Sequence, residues 1–256
     1  MTAAREAALA ALAARVGDPL RLWLRDDDAV APTPALDRLL ALCEGAGVAP
    51  LLAVIPAPWQ GPPTGPDLVR RLADAPAVAV AQHGFSHRNH AGPGEKKQEL
   101  GPHRPAARVL AELAEGRVRL RDLHGARLLP LMVPPWNRIA PEVAADLPGL
   151  GFAALSTFAA ERAVPGLAVV NCRIDVMDWR ARAGRPAAAL WAEVGRAAAE
   201  GWPQAGLLTH HLVHDAAAWG FLADLFAATA GHPGCRWVPA AALPALGRAG
   251  AEQGAP

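Results

Sequence analysis

Two histidines four residues apart, in His83-Gly84-Phe85-Ser86-His87, are the first candidates for chemistry in this 256-residue chain. On one helical turn such a pair shares a face, so both imidazoles can reach a single ion about 2.0–2.1 Å away. The second candidate is Arg25-Asp26-Asp27-Asp28. Three successive carboxylates repel and raise one another's pKa unless a cation neutralises them. One of these Asp residues added to the two His gives a two-His, one-carboxylate set, which leaves positions open for water and substrate. A second Asp beside it can act as a base on water. Each cluster taken alone also reads as a solvated polar loop.

The elements that must hold these residues alternate. Short β-like runs cover residues 20–24, 49–55, 77–81, 128–133, 152–156, 169–174 and 206–208, with a last short one at 237–239. Helical patterns fall between them, near 33–44, 105–115, 141–147, 186–200 and 216–229, after an N-terminal helix within 1–16. This is the pattern of parallel βα units. Asp26 to Asp28, His83 to His90, Trp136-Asn137-Arg138, Asp175 to Trp179 and His210-His211 each follow a strand directly. A barrel gathers such C-terminal strand ends on one face, whereas an open sheet binds at a single switch point. The expected fold is therefore an α/β chain forming a distorted or incomplete (β/α) barrel of seven or eight strands. It reads as a single domain over residues 1–256, with a flexible tail at 250–256.

Bulk properties exclude several classes. Apolar residues make up 52% and charged residues 19%, which suits a compact globule. The formal net charge of +1 gives no footprint for a nucleic-acid binder or a polybasic membrane surface. Cys43, Cys172 and Cys235 are far apart and odd in number, so reduced buried thiols are expected. No run approaches the ~18 uncharged apolar residues of a membrane span. The N-terminus carries Arg5, Glu6 and Arg15 rather than a signal-peptide pattern, so a cytoplasmic location is expected.

The order of motifs resembles the polysaccharide deacetylases, the family 4 carbohydrate esterases with the NodB homology domain. That family's pattern is Asp-Asp, His-(Ser/Thr)-x-x-His, Arg-x-Pro-Tyr/Trp, Asp-x-x-Asp-Trp and Leu-x-His. The matching segments here, across roughly residues 20–215, are Asp27-Asp28, His83 to His87, Pro134-Pro135-Trp136, Asp175-Val176-Met177-Asp178-Trp179 and Leu208-Thr209-His210. The resemblance implies a metal held by Asp28, His83 and His87, with Asp27 as catalytic base. Asp26 with Asp27 is the competing register. It also implies an oxyanion donor in the Trp136 N–H, a general acid in His210, and Asp175 as the group that orients and charges that acid.

Departures accompany the match. Val133 stands where the family has the Arg that pairs with the base, and Arg138 or Arg25 is left to replace it. A second imidazole, His211, follows the general acid. Gly94-Glu95-Lys96-Lys97-Gln98-Glu99-Leu100 holds the chain's only lysines and has no counterpart in the pattern. Asn137, Arg138, Trp59 and His211 are candidate substrate contacts, Trp59 because an aromatic face suits a sugar ring.

The expectation is metal-dependent hydrolysis of an N-acyl amide, an acetamido group on a sugar-like small molecule or oligosaccharide. Zinc is the simplest cofactor, with cobalt, nickel or manganese as substitutes. Two rivals stand beside it: a hydrolase of small non-sugar amides or cyclic imides, and a non-catalytic barrel that binds metal or carbohydrate.

Overall fold

The computed structural model describes residues 3–159, 162–245 and 247; the tail expected at 250–256 lies outside them. In chain order the elements are α1 (Ala3–Ala13), β1 (Leu20–Ala29), α2 (Pro34–Gly45), β2 (Leu51–Val54), α3 (Pro66–Ala73) and β3 (Ala79–His83). Next come α4 (Ala106–His124), β4 (Leu128–Val133), α5 (Pro141–Asp146), β5 (Ala154–Leu155), β6 (Ala168–Val169) and β7 (Cys172–Asp175). The last are β8 (Met177–Asp178), β9 (Ala183–Gly184), α6 (Ala187–Ala199), β10 (Gln204–Thr209), α7 (Ala216–Thr229) and β11 (Cys235–Trp237).

Strands pair in the order β6-β5-β4-β3-β2-β1-β10-β7, with β11 joining β1. Nine strands thus make up the main sheet, eight along this path and β11 beside β1, in the distorted α/β barrel class expected from the sequence. Only the β8–β9 hairpin is antiparallel among the named strand pairs, and the sequence did not signal it. The strands are short and apolar because both faces are covered: every residue of β2 and β3 is buried.

By internal contacts the chain falls into two compact units. Unit 1 holds residues 1–27, 33–50 and 172–240. There β10 lies between β1 and β7 in parallel register, with Arg25 opposite Leu208 and Leu208 opposite Asp175. Helix α2 starts where Thr33 caps the Leu36 N–H at 3.0 Å with Pro34 in the first turn. Helix α7 starts where Asp215 accepts from the Ala218 N–H at 2.9 Å.

Among the described residues, unit 2 holds 28–32, 51–159, 162–171, 241–245 and 247. Its strands β2 to β6 are parallel in sequential order. Leu100, Val109, Leu113, Met132, Val143, Leu147 and Phe152 form a core beneath them. The loop after β3 is anchored there by Leu100, which bridges to Ile139 and accepts a 2.8 Å hydrogen bond from the Ala140 N–H.

All three cysteines are free and buried, as expected. No helix among the described residues is long and apolar enough to cross a membrane.

Candidate active site

In unit 2, Asp28, His83 and His87 come together, each offering a ligand atom within 4.8 Å of the others. Asp28 Oδ1 lies 3.1 Å from His83 Nε2 and 3.3 Å from His87 Nε2. Histidine 83 ends β3, and its Nδ1 donates to the Val133 carbonyl at 2.9 Å. That bond sets the ring's orientation and leaves Nε2 facing Asp28, the way a metal-ligating imidazole is held through its other nitrogen. The donor set, two neutral imidazoles and one carboxylate, fits a borderline divalent cation.

Backbone strain marks the same residues. Asp28, His87, Trp136 and Asn137 all have φ between 54 and 73°, a left-handed conformation that side chains other than Gly rarely adopt. In an extended strand, Asp27 and Asp28 would point to opposite faces. The left-handed turn at Asp28 breaks that alternation. The Trp136 ring packs on His87, with ring centroids 4.3 Å apart.

The His83–His87 turn is wound around a buried acid that the sequence did not single out. Glu99 accepts from the N–H groups of Phe85, Ser86 and His87 at 3.3, 2.7 and 3.1 Å, and from the Ser86 hydroxyl at 2.9 Å. Burial pushes the Glu99 carboxyl above its usual range, and these donors offset that only in part. Gly84 has φ +56°, and a Cβ there would lie 2.1 Å from Glu99 Oε2 and 2.6 Å from Pro135 Cγ. Only glycine fits between the acid and the proline. The family's Ser/Thr position is therefore glycine here, and the hydroxyl comes from Ser86.

Unit 1 sorts the other two aspartates. Arg25 Nε lies 2.9 Å from Asp27 Oδ1, and Nη2 donates to Oδ2 at 3.1 Å, with both side chains buried. Of the two arginines left to pair with Asp27, it is Arg25 that contacts it. Burial opposes the guanidinium charge, yet Asp27 and Asp175 outweigh it and raise the Arg25 pKa. Arg138 is engaged elsewhere, donating to the Lys97 carbonyl at 2.9 Å.

Asp26 is taken by different partners: His211 Nδ1 at 2.5 Å, the His211 N–H at 2.9 Å and the Thr209 hydroxyl at 2.7 Å. Burial pushes its carboxyl up, but the His211 charge and these hydrogen bonds bring it below the usual range. The competing register, Asp26 with Asp27, has no support in this geometry. His211, expected as a substrate contact, is 2% exposed and held against Asp26.

His210 Nε2 lies 3.9 Å from Asp27 Oδ2. Its Nδ1 is buried without a hydrogen-bond partner, so Asp175, expected to orient and charge this imidazole, does not bond to it directly. Asp175 instead accepts from the Met177 N–H and the Trp179 indole, both at 2.9 Å. The Trp179 ring stands edge-on to His210, with centroids 4.5 Å apart. Trp179 thus links Asp175 to the His210 ring, and burial raises the Asp175 pKa. His214 is no metal ligand partner to His210: its Nε2 accepts the His210 N–H at 3.1 Å.

Trp59 is 57% exposed, and its backbone N–H donates to the Ser86 carbonyl at 2.9 Å, which ties its backbone to the turn before His87. Asn137 and Arg138 follow Trp136 in a turn closed onto the Pro134 and Pro135 carbonyls.

Comparison of the whole fold with solved structures gives one answer. A protein from Mycobacterium smegmatis described as a polysaccharide deacetylase matches with a TM-score of 0.67 at 16% identity, covering 92% of each chain. The fold is that of the polysaccharide deacetylases. A family 4 carbohydrate esterase from Streptomyces lividans, solved with acetate, matches at TM-score 0.54 and 16% identity over 83% of this chain and 89% of its own. A family 4 acetyl xylan esterase from Clostridium thermocellum, solved with a cobalt ion, matches at TM-score 0.54 and 14% identity over 88% and 90%. No family model and no curated protein sequence matches the chain. The likeness to the deacetylases is therefore one of fold, with sequence divergence far beyond it.

Proposed function

We propose that the protein is a metal-dependent hydrolase of N-acyl amides, acting on an acetamido group of a sugar-like substrate. The observation that carries this reading is the division of labour among three consecutive aspartates. Asp28 faces His83 and His87, Asp27 faces Arg25 and His210, and Asp26 is spent on His211 and Thr209. A chain that merely solvated these acids would not give each one different partners.

Asp28, His83 and His87 would hold the ion, zinc being the simplest choice for nitrogen and oxygen donors. When bound, it supplies Lewis acidity toward the acyl carbonyl and a more acidic water. Asp27, one peptide bond from Asp28, accepts the proton of the attacking water, and Arg25 orients its carboxylate. The Trp136 N–H stabilises the oxyanion. His210 delivers a proton to the departing amine, its ring set by Trp179 and by the charge of Asp175. Asn137 and Trp59 are the substrate contacts, Trp59 stacking on the ring.

The non-catalytic reading rested on the absent third-motif Arg, and the Arg25–Asp27 pair weakens it. Hydrolysis of small cyclic imides is the second reading, since nothing in the donor set favours sugars over them. The test is an assay of zinc- and cobalt-loaded protein on N-acetylated sugars and on cyclic amides. Acetate release from the sugars is the expected result. Stoichiometric metal without hydrolysis of any amide would overturn the proposal.

A further inference from the structure

Glu99 belongs to a charged segment, Gly94 to Leu100, that no part of the proposed reaction uses. It is 0% exposed, yet it carries a carboxylate into the core of unit 2. An isolated buried carboxylate is costly unless hydrogen bonds meet it. Here three successive backbone N–H groups, from Phe85, Ser86 and His87, converge on it together with the Ser86 hydroxyl. Successive N–H groups turned inward make an anion-binding nest, and the anion is part of the chain. Gln82 completes the turn from the other side, donating to the carbonyls of Gly84 and Leu113 at 3.0 Å each. Glu99 itself is fixed by Leu100 in the core and by Arg104, whose Nη2 donates to the Glu99 carbonyl at 3.3 Å.

We propose that Glu99 is a positioning residue of the metal centre, holding the strained His87 backbone so that its imidazole faces Asp28. The inference rests on the reading of Asp28, His83 and His87 as metal ligands. Both carboxylate oxygens accept N–H groups, so an amide at this position turns its NH2 toward a donor in either orientation. Glu99→Gln should therefore release the turn while keeping the side chain's size.

The probe is cobalt(II), titrated into metal-free wild type, Glu99→Gln, Ser86→Ala and His87→Ala, followed by its visible absorption and by calorimetry. Wild type is expected to bind one ion. Glu99→Gln should bind about 10–100-fold more weakly, the range seen when a group that orients a metal ligand is lost. Its cobalt spectrum should shift toward that of His87→Ala, which a purely structural role would not produce. If Glu99→Gln fails to fold, Ser86→Ala decides, with a smaller weakening in the same direction expected. Wild-type affinity and spectrum in the folded Glu99→Gln, or in Ser86→Ala when the former does not fold, would overturn the inference alone. Absence of cobalt binding by wild type would sink the metal reading with it.

Discussion

Arg25 grips Asp27 through two contacts, at 2.9 and 3.1 Å, with the arginine 0% and the aspartate 2% exposed. A buried fork of this kind is costly to assemble and costlier to break, because the survivor is left charged without a partner. It also gives the proposed base a fixed orientation. The Arg that the deacetylase pattern puts on another strand is supplied here from two residues upstream.

Loss of the fork should therefore cost both stability and turnover. Arg25→Met leaves Asp27 unpaired and should destabilise the fold by about 3–5 kcal/mol, measured by urea unfolding. Arg25→Lys retains charge but loses the second contact, and should lower kcat at least about tenfold while the protein stays folded. Wild-type kcat in Arg25→Lys would contradict this role.

Asp27→Asn separates base from ligand. Metal binding should persist, because Asp28 and the histidines are untouched, while kcat falls by about 10²–10⁴. Unchanged turnover would return the base to another residue.

Gly84→Ala places a methyl against Glu99 and Pro135 in a left-handed backbone. Destabilisation of about 2 kcal/mol or more is expected, with weaker metal binding in whatever folds. An unchanged urea midpoint would show that the turn relaxes more easily than its geometry implies.

Acid should destabilise the protein through His124, whose two ring nitrogens are buried without hydrogen-bond partners. Burial, with Arg127 adding like-charge repulsion, brings its pKa down to about 4 from the usual 6.5. Its place in the last turn of α4 favours the charged form, but desolvation outweighs that. Between about pH 6.5 and 4 the unfolded chain binds this proton and the folded one does not. Stability therefore falls as pH falls through that window, by up to about 3 kcal/mol. His214, also lowered to about 4, adds to the slope. Urea midpoints at pH 7.5 and pH 5 should diverge less in His124→Leu than in wild type, and an equal divergence would remove His124 as the cause.

Regular elements with apolar periods were legible in the sequence. The strand at 128–133 and the helix at 216–229 stand where the pattern put them. The first strand was expected to stop at Leu24 but runs to Ala29, because Arg25, Asp26 and Asp27 are buried against one another's partners. Hydropathy cannot see a charge that is paid for by a distant His211 or Thr209. The run at 169–174 is two strands, β6 and β7, parted at Asn171, which accepts the Thr157 N–H at 2.7 Å. Helix α3 went unseen because Arg70 and Arg71 leave only Leu68 and Leu72 as buried positions. Glu99 had no signal at all: beside Lys96 and Lys97 it reads as solvated charge, and only tertiary contacts bury it.

The proposed function requires a metal held by Asp28, His83 and His87. It is tested most directly by anomalous scattering from crystals of protein purified in zinc without chelators. A single strong zinc peak bonded to these three side chains is expected, lost in His83→Ala and His87→Ala. Zinc-replete protein with no peak there would contradict it.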